Sequence, residues 1–297
     1  MEFKTIPLTQ RIHNRPYDAI LPTRPELSQA GKTVLITAGT AGIAYAIARN
    51  FGFAGADKVI ITGRSEEKLK SAVKSLTDEV QGKSKTKYDG RVCQVADPSS
   101  IDALFNDLAK DNIHIDVLVL SAAHMVAGKI TDQTWEVVWE QFIVNVRSLH
   151  QFYELFDKQP RIGDGPRYVL NVSSCAIHHF TSGIDAGAYT LTKNSGSLLL
   201  QKIADETDPS NTQIINFHPG SILGLRVQEY GMDANSANWD HEDLPGSFAV
   251  WAASPEATFL HGRFVWAAWD VEELKSGALR EKLENDANFL KVSVNGI

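Results

Sequence analysis

The sequence predicts an α/β protein built on one doubly wound parallel sheet of about seven strands, with helices on both faces. Short runs of apolar and β-branched residues recur along the chain from Gly31 onward, as buried strands require. Longer segments of helical period separate these runs, and strand–helix alternation gives right-handed crossovers between parallel strands. A length of 297 residues with 43% hydrophobic and 22% charged residues suits one globular domain of this class.

The predicted strands follow one another at intervals that leave room for a helix between them. They are Thr33–Thr37, Lys58–Thr62, Arg91–Val95, Val117–Ser121, Arg167–Val172, Thr212–Phe217 and Phe264–Ala267. Two intervening helices have clear starts. Ser65 followed by two glutamates predicts one N-cap, and Asp97 followed by Pro98 predicts another, for a helix through Leu108.

Residues 1–30 differ from the rest, because prolines interrupt them and no period is sustained. We expect an extended arm lying on the domain, with disorder as the alternative. Residues 31–297 then form the one main domain.

Composition excludes several classes of protein. The net charge of −7 argues against nucleic acid or an anionic membrane as the main partner. Two cysteines are too few for a disulfide framework or a cysteine-rich zinc site, and no histidine group has metal-ligand spacing. No apolar run is long enough to span a bilayer, and the first residues lack the apolar core of a secretory signal. We therefore expect a protein of the reducing cytosol that acts on a small molecule.

A glycine turn follows the first predicted strand and leads into a helix. Gly39 and Gly42 lie in the stretch TAGTAGIA, at residues 37–44. Such a turn aims free N–H groups and the positive end of a helix dipole at one point, which suits a pyrophosphate. The alternative is an ordinary turn that happens to hold two glycines.

The end of the second predicted strand favours NADP(H) over NAD(H). An acidic residue there would bind the ribose 2′-hydroxyl, but the chain reads Thr62, Gly63, Arg64, Ser65. The Arg64 guanidinium could pair with a 2′-phosphate, although it could equally be an ordinary surface arginine.

A tyrosine and a lysine, Tyr189 and Lys193, stand one helical turn apart and share a helix face. Ser173 and Ser174 come directly after the predicted strand Arg167–Val172. Because ligands of open parallel sheets bind beyond the carboxyl ends of the strands, a serine hydroxyl, a phenol and an ammonium can meet there.

In this order the motifs resemble the short-chain dehydrogenase/reductase family, across nearly all of residues 31–297, and the arm and tail resemble its fungal members. The matching segments are TAGTAGIA at 37–44, Asp97, LSAA at 120–123, Asn145, NVSS at 171–174, YTLTK at 189–193 and the stretch from His218 to Ile222. The resemblance implies a Rossmann-like domain, a nicotinamide cofactor and an oxidoreductase activity, with a place in secondary metabolism.

The resemblance also implies catalytic roles. Tyr189 would be the general acid or base, with a phenolate favoured by Lys193 and a positively charged nicotinamide ring. Lys193 would also bind the nicotinamide ribose. Ser174, with Ser173 as the less well matched alternative, would donate to the substrate oxygen. Asn145 would hold the water that links Lys193 to solvent.

The cofactor contacts that the resemblance implies are more numerous. They are Gly39, Thr40, Gly42, Ile43, Arg64, Ser65, Gln94, Val95, Ala122, Ala123, Asn145, Tyr189, Lys193, Pro219, Gly220 and Ile222. The turn Pro219–Ile222 would orient the carboxamide. The chain departs from the family pattern at Ala38, which replaces the first glycine, and at Leu120 and Ser121, which replace two asparagines.

Three further features follow from the resemblance. Residues 224–250 fall where the family has a substrate lid, and their aromatics, Tyr230, Trp239 and Phe248, favour a bulky apolar substrate or plain packing. His178, His179 and Asp185 lie between the candidate serine and tyrosine, and we interpret them as pocket residues or as structural ones. The helices around 134–156 and 186–204 would form subunit contacts in a homodimer or homotetramer.

The sequence thus predicts an NADP-dependent ketoreductase that interconverts a ketone and a secondary alcohol. Two alternatives stay open. One is an enzyme of the same fold with redox-neutral chemistry, such as dehydration, epimerisation or cyclisation. The other is a non-catalytic protein that binds NADP.

Overall fold

The computed structural model describes residues 7–163, 165–178, 186–229 and 231–294. Their seven strands form one sheet in the order β3-β2-β1-β4-β5-β6-β7, and every neighbouring pair is parallel. The strands are β1 (Thr33–Ile36), β2 (Lys58–Gly63), β3 (Lys87–Val92), β4 (Val117–Leu120), β5 (Arg167–Val172), β6 (Thr212–His218) and β7 (Phe264–Trp266). The doubly wound, Rossmann-like fold predicted from the sequence is confirmed.

Helices connect successive strands on both faces of the sheet. They are α1 (Gly42–Phe53), α2 (Glu66–Val80), α3 (Pro98–Lys110), α4 (Trp135–Phe142), α5 (Ser148–Asp157), α6 (Gly187–Asp205), α7 (Leu225–Glu229), α8 (Asp243–Ala252), α9 (Val271–Lys275) and α10 (Gly277–Asn285). Both predicted N-caps are present. Ser65 accepts a hydrogen bond from the backbone of Lys68, and Asp97 accepts one from that of Ser99.

The apolar core lies in two layers, one on each side of the sheet. Along β1, Val34 and Ile36 face the layer that contains Phe51 and Trp251, whereas Leu35 faces the layer of Phe152. Successive strand residues point to opposite faces, so a strand covered on both sides must be apolar at every position. This requirement explains the continuous apolar runs by which the strands were predicted.

One predicted strand has the wrong bounds. The sequence predicts the third strand at Arg91–Val95, but β3 begins four residues earlier, at Lys87, and ends at Val92. As an edge strand β3 pairs with β2 alone, and none of its residues is buried. An edge strand with solvent on one side does not require an apolar run, so the apolar pattern was a poor guide to it.

The N-terminal residues from Pro7 to Ala30 run over the domain and contact its C-terminal part. Ile12 pairs with Trp269 in an antiparallel bridge, and Ile20 and Leu27 are fully buried. The Asp270 carboxylate, only 2% exposed, accepts hydrogen bonds from two N–H groups that begin α9 and pairs with Arg11. Among the described helices, none is both long and apolar enough to cross a bilayer.

We predict that Asp270→Ala lowers the free energy of unfolding at pH 7 by about 2–4 kcal/mol, because it removes a helix cap and a charged partner together. Burial alone would raise the pKa of Asp270, but hydrogen bonds from His13 and the α9 backbone outweigh it and lower the pKa. The stabilisation is therefore present above about pH 4 and is lost as the pH falls through the folded pKa. Urea unfolding of the wild type and of Asp270→Ala, at pH values above and below the folded pKa, measures this stabilisation. Glu281→Ala, on the exposed face of α10, is the control, and a cost that does not depend on pH would contradict the charged role.

Candidate active site

The predicted catalytic residues gather where β5 ends and α6 begins, at the carboxyl edge of the sheet. Tyr189 lies in the first turn of α6 and is half-buried. Lys193 lies one turn further along the same helix face. The positive end of a helix dipole stabilises negative charge within the first turn, so this position favours a phenolate at Tyr189.

The Lys193 ammonium is buried, with the residue only 4% exposed. Its Nζ donates a hydrogen bond of 2.7 Å to the carbonyl of Val172, the last residue of β5. No carboxylate pairs with it among the described residues. Burial lowers the pKa of Lys193 to about 8. The site thus holds a buried amine one helical turn from Tyr189, and its protonated form carries a desolvation cost.

The two candidate serines have different surroundings. The Ser173 hydroxyl is buried and lies 2.7 Å from the hydroxyl of Ser197 on α6. The Ser174 hydroxyl is half-buried and accepts a hydrogen bond from the backbone N–H of Ala176. Because Ser173 is enclosed in a core pair, Ser174 is the one whose O–H is better placed to serve a ligand.

Asn145 lies in a π-helical segment, Ile143–Arg147, that interrupts the otherwise continuous helical stretch from α4 to α5. Its amide Nδ2 donates to the carbonyl of His124 (2.7 Å) and to the hydroxyl of Thr192 (2.9 Å), while its Oδ1 accepts from the His124 N–H (2.8 Å). Asn145 therefore joins the loop after β4 to the helix of Tyr189. Single-turn π segments are frequent at functional sites.

A glycine inside α6 permits this close approach. A Cβ at position 196 would lie 2.5 Å from the carbonyl oxygen of Asn145 and 2.9 Å from Leu149. Gly196 and Thr192 were not among the residues singled out from the sequence. The sequence did hold a signal for Gly196. A glycine in the middle of a helix lowers helix stability, so its presence there indicates that a neighbouring segment approaches closely.

The predicted pyrophosphate turn lies between β1 and α1, where the strand order reverses and open sheets have their ligand crevice. A Cβ at Gly39 would lie 2.6 Å from two side-chain atoms of Ile61, so only glycine fits beside β2. No side chain caps α1, in contrast to α2 and α3, and its first turn holds no acidic residue. Its first N–H groups are thus available to an anion.

Ala38 adopts a φ of 59°, in the left-handed region that favours glycine. The backbone of the turn therefore keeps the glycine-like conformation even though alanine replaces the family's first glycine. Thr40 and Ile43 lie within this turn and the start of α1, with the Thr40 methyl against Gly63.

Arg64 directly follows β2, and its side chain is exposed. Its guanidinium has no ion pair or hydrogen bond with any residue that the structure describes. The arginines inside the fold differ, since Arg49 pairs with Glu79, Glu242 and Asp243. An unpaired guanidinium at this position fits a 2′-phosphate.

The turn after β3 lies next in line along the crevice. The Gln94 side chain is exposed, while its backbone N–H donates to the Ser100 hydroxyl. The carbonyl of Val95 accepts a hydrogen bond from Arg147, so that side chain fixes the turn. Ser65, in turn, caps α2.

A threonine at the end of β1 holds the segment after β4, where this chain lacks the two asparagines of the family pattern. The buried hydroxyl of Thr37 accepts hydrogen bonds from the N–H groups of Ser121 (2.8 Å) and Ala122 (2.9 Å). The strand ends β1 and β4 are thereby joined, with Ala123 exposed at the edge. Sequence reasoning missed Thr37, because only the pairing of β1 with β4 brings these residues together.

The turn Pro219–Ile222 follows β6. Gly220 has a φ of 100°, which side chains rarely adopt. Burial lowers the pKa of the preceding His218 to about 3, so this imidazole is neutral. Its ring packs against Trp266 of β7 with the centroids 4.7 Å apart.

Some expectations for the substrate side are modified by the structure. His178 accepts a hydrogen bond from the Trp266 indole, whereas His179, Asp185 and Tyr230 lie outside the described residues. Phe248, expected in the lid, is instead fully buried in α8, which packs against α1. Phe248 therefore follows the alternative of plain packing, because α8 is buried from Leu244 to Ala252. Any lid would end before α8 begins at Asp243.

Comparison with known proteins gives consistent matches. A family model described as short chain dehydrogenase matches residues 32–233. The short chain dehydrogenase/reductase nsrO of Aspergillus novofumigatus is 31% identical to this chain, and the match covers 96% of each.

Solved structures share the fold at lower identity. The Pseudomonas aeruginosa RhlG/NADP complex is 19% identical, with a TM-score of 0.73, and the match covers 82% of this chain and 97% of that one. L-sorbose reductase from Gluconobacter frateurii, solved with NADPH and L-sorbose, is 20% identical, with a TM-score of 0.72 and coverage of 81% and 96%.

We predict that Lys193→Met raises the free energy of unfolding at pH 7 by about 1–2 kcal/mol. The folded state opposes protonation of this lysine, whereas an unfolded lysine has a pKa of about 10.4. The free-energy cost of burying the protonated lysine is therefore complete below about pH 8 and disappears as the pH rises toward 10. Loss of the hydrogen bond to Val172 offsets part of the stability that the substitution gains. Urea unfolding at pH 7 and pH 10 measures the difference. Lys202→Met, at an exposed position of α6, is the control, and a destabilised Lys193→Met at pH 7 would refute the argument.

Proposed function

Because the chain belongs to the short-chain dehydrogenase/reductase family, we propose that it is an NADP-dependent oxidoreductase that interconverts a ketone and a secondary alcohol. One observation carries the proposal. Lys193, a buried ammonium that no carboxylate of the described residues pairs with, lies one turn from Tyr189 at the start of α6 and beside the end of β5. Ionisable groups perturbed by burial cluster at functional sites, so a buried lysine at the carboxyl edge of the sheet, one turn from a tyrosine, supports a catalytic role.

In this proposal a bound NADPH supplies the hydride that adds to the carbonyl carbon. The Tyr189 hydroxyl transfers its proton to the carbonyl oxygen, and Ser174 donates a hydrogen bond to the same oxygen as negative charge develops there. The Lys193 ammonium and the start of α6 stabilise the phenolate that Tyr189 becomes. In the reverse direction Tyr189 is the base. Asn145 holds α6 against the loop after β4 and thereby fixes the position of Tyr189.

In this proposal, residues along the crevice bind the different parts of the cofactor. Gly39 and the uncapped start of α1 receive the pyrophosphate. Arg64 binds the 2′-phosphate as a planar fork, which selects NADP(H) over NAD(H). The Pro219–Ile222 turn receives the nicotinamide carboxamide.

Residues 224–242 form the lid over the substrate in this proposal. They include Met232 and Trp239, both half-buried, and the Trp239 indole donates to the carbonyl of Asp233. Apolar side chains there favour a bulky apolar substrate, such as an intermediate of secondary metabolism.

We also propose that the enzyme is a homo-oligomer. Trp135 and Trp139 of α4 are 71% and 57% exposed, and Leu191 of α6 is 43% exposed. Large apolar side chains exposed together on neighbouring helices mark an interaction surface. A second copy would cover this surface through the helices that the family uses for subunit contacts.

We predict that Tyr189→Phe reduces turnover of a ketone panel by at least about 1,000-fold, because the general acid is lost. Binding of NADPH should change little, since the ring stays in place. Oxidation of NADPH measured by absorbance gives turnover, and cofactor fluorescence gives binding. Tyr153→Phe, on α5 away from the crevice, is the matched control. Unchanged turnover of Tyr189→Phe would refute the assignment, and product formed without NADPH consumption would favour redox-neutral chemistry.

We predict that Arg64→Ala raises KM for NADPH by about 10-fold or more and leaves KM for NADH unchanged, because a phosphate contact worth roughly 1.5–3 kcal/mol is removed. Steady-state kinetics with both cofactors measure the change. Arg15→Ala removes an exposed arginine elsewhere and should alter neither value. An equal effect of Arg64→Ala on both cofactors would show that Arg64 does not contact the 2′-phosphate.

A further inference from the structure

An acidic residue from the far end of the lid segment contacts the turn after β6. The Asp240 carboxylate accepts a hydrogen bond of 2.7 Å from the backbone N–H of Ser221, and the Asp240 N–H donates one of 2.8 Å to the Ser221 carbonyl. Two reciprocal bonds between two residues fix both their distance and their relative orientation. The carboxylate end of this pair is charge-assisted and therefore the stronger bond.

The same carboxylate lies against Gly220. A Cβ at position 220 would come within 2.6 Å of Asp240 Oδ2, and the φ of 100° is itself one that glycine tolerates. Asp240 thus occupies the space that a side chain at the centre of the turn would need. The conformation of the turn and the position of Asp240 depend on each other.

The residues that follow Asp240 bind two other parts of the molecule. The His241 N–H donates to the carbonyl of Asn14 in the N-terminal arm, at 2.7 Å. The Asp243 carboxylate accepts hydrogen bonds of 2.7 Å from Arg49 and from Asn50, both on α1. Residues 240–243, the clasp, therefore connect the turn after β6 with the arm and with the helix whose start faces the pyrophosphate site.

We propose that Asp240 is a positioning residue that holds the Pro219–Ile222 turn in the conformation that orients the nicotinamide carboxamide. The contacts of Asp243 with α1 fix the chain next to Asp240. The position of the turn therefore depends on α1 as well as on the lid. This inference rests on the proposed function, in which that turn receives the carboxamide.

The test measures how well the protein distinguishes NADPH from its 3-acetylpyridine analogue, which has a methyl group in place of the carboxamide nitrogen. Fluorescence titration gives Kd for both in the wild type and in Asp240→Ala. We expect Asp240→Ala to weaken NADPH binding by about 10-fold and to weaken analogue binding less, so that the ratio of the two Kd values moves toward one. Partial unfolding would change both Kd values together and leave their ratio unaltered.

Three further variants complete the design. Asp240→Asn keeps an oxygen acceptor for the Ser221 N–H and should retain most of the discrimination. Gly220→Ala disturbs the contact with Asp240 from the side of the turn and should lose the discrimination between NADPH and its analogue. This variant keeps the test available if Asp240→Ala folds poorly. Asp208→Ala is the matched control, because that exposed carboxylate accepts a hydrogen bond from the Ser210 N–H before the start of β6, at the edge of the sheet opposite the crevice.

The outcomes separate the two proposals. A wild type that binds NADPH but reduces no ketone rejects the proposed reaction and still allows Asp240 to be tested by binding. If Asp240→Ala and Gly220→Ala both keep the wild-type ratio of Kd values, the positioning role is wrong, whatever the activity.

Discussion

The buried ammonium of Lys193 is the constraint on which the rest of the site depends. Among the described residues its hydrogen-bond partner is the carbonyl of Val172, so the bond depends on the position of α6 relative to β5. The surrounding contacts help to fix this position. Gly196 lets α6 approach the π segment closely, and the bond from Asn145 to Thr192 fixes the helix near Tyr189. In the proposed function the stability lost by burying this ammonium is the cost of a positive charge one helical turn from Tyr189.

In the proposed function the cofactor crevice differs from the catalytic site, because the ligand would bring the negative charge. Backbone N–H groups at the uncapped start of α1 and the exposed Arg64 would then be the complementary groups. Most of this site is backbone geometry. Where the chain departs from the family's sequence pattern, Ala38 still adopts a glycine-like φ and the Thr37 hydroxyl binds the Ser121 N–H.

The two halves of the site are linked through the clasp at residues 240–243, which contacts the turn after β6, the N-terminal arm and α1. The arm is thus more than an extension of the chain. It covers the apolar layer with Ile20 and Leu27, and through Asn14 it bonds directly to the clasp.

The sequence by itself determined the buried strands, the helix starts at Ser65 and Asp97, and the candidate pair Tyr189 and Lys193. These features depend on hydrophobic periodicity, helix capping and residue spacing, all of which involve residues close together in the chain. Tertiary structure alone decided the bounds of the edge strand β3, the burial of Phe248, the enclosure of Ser173 and the contact of Asp240 with Ser221. Each of these depends on which distant segment lies alongside, and such pairing leaves no periodic signal in the chain.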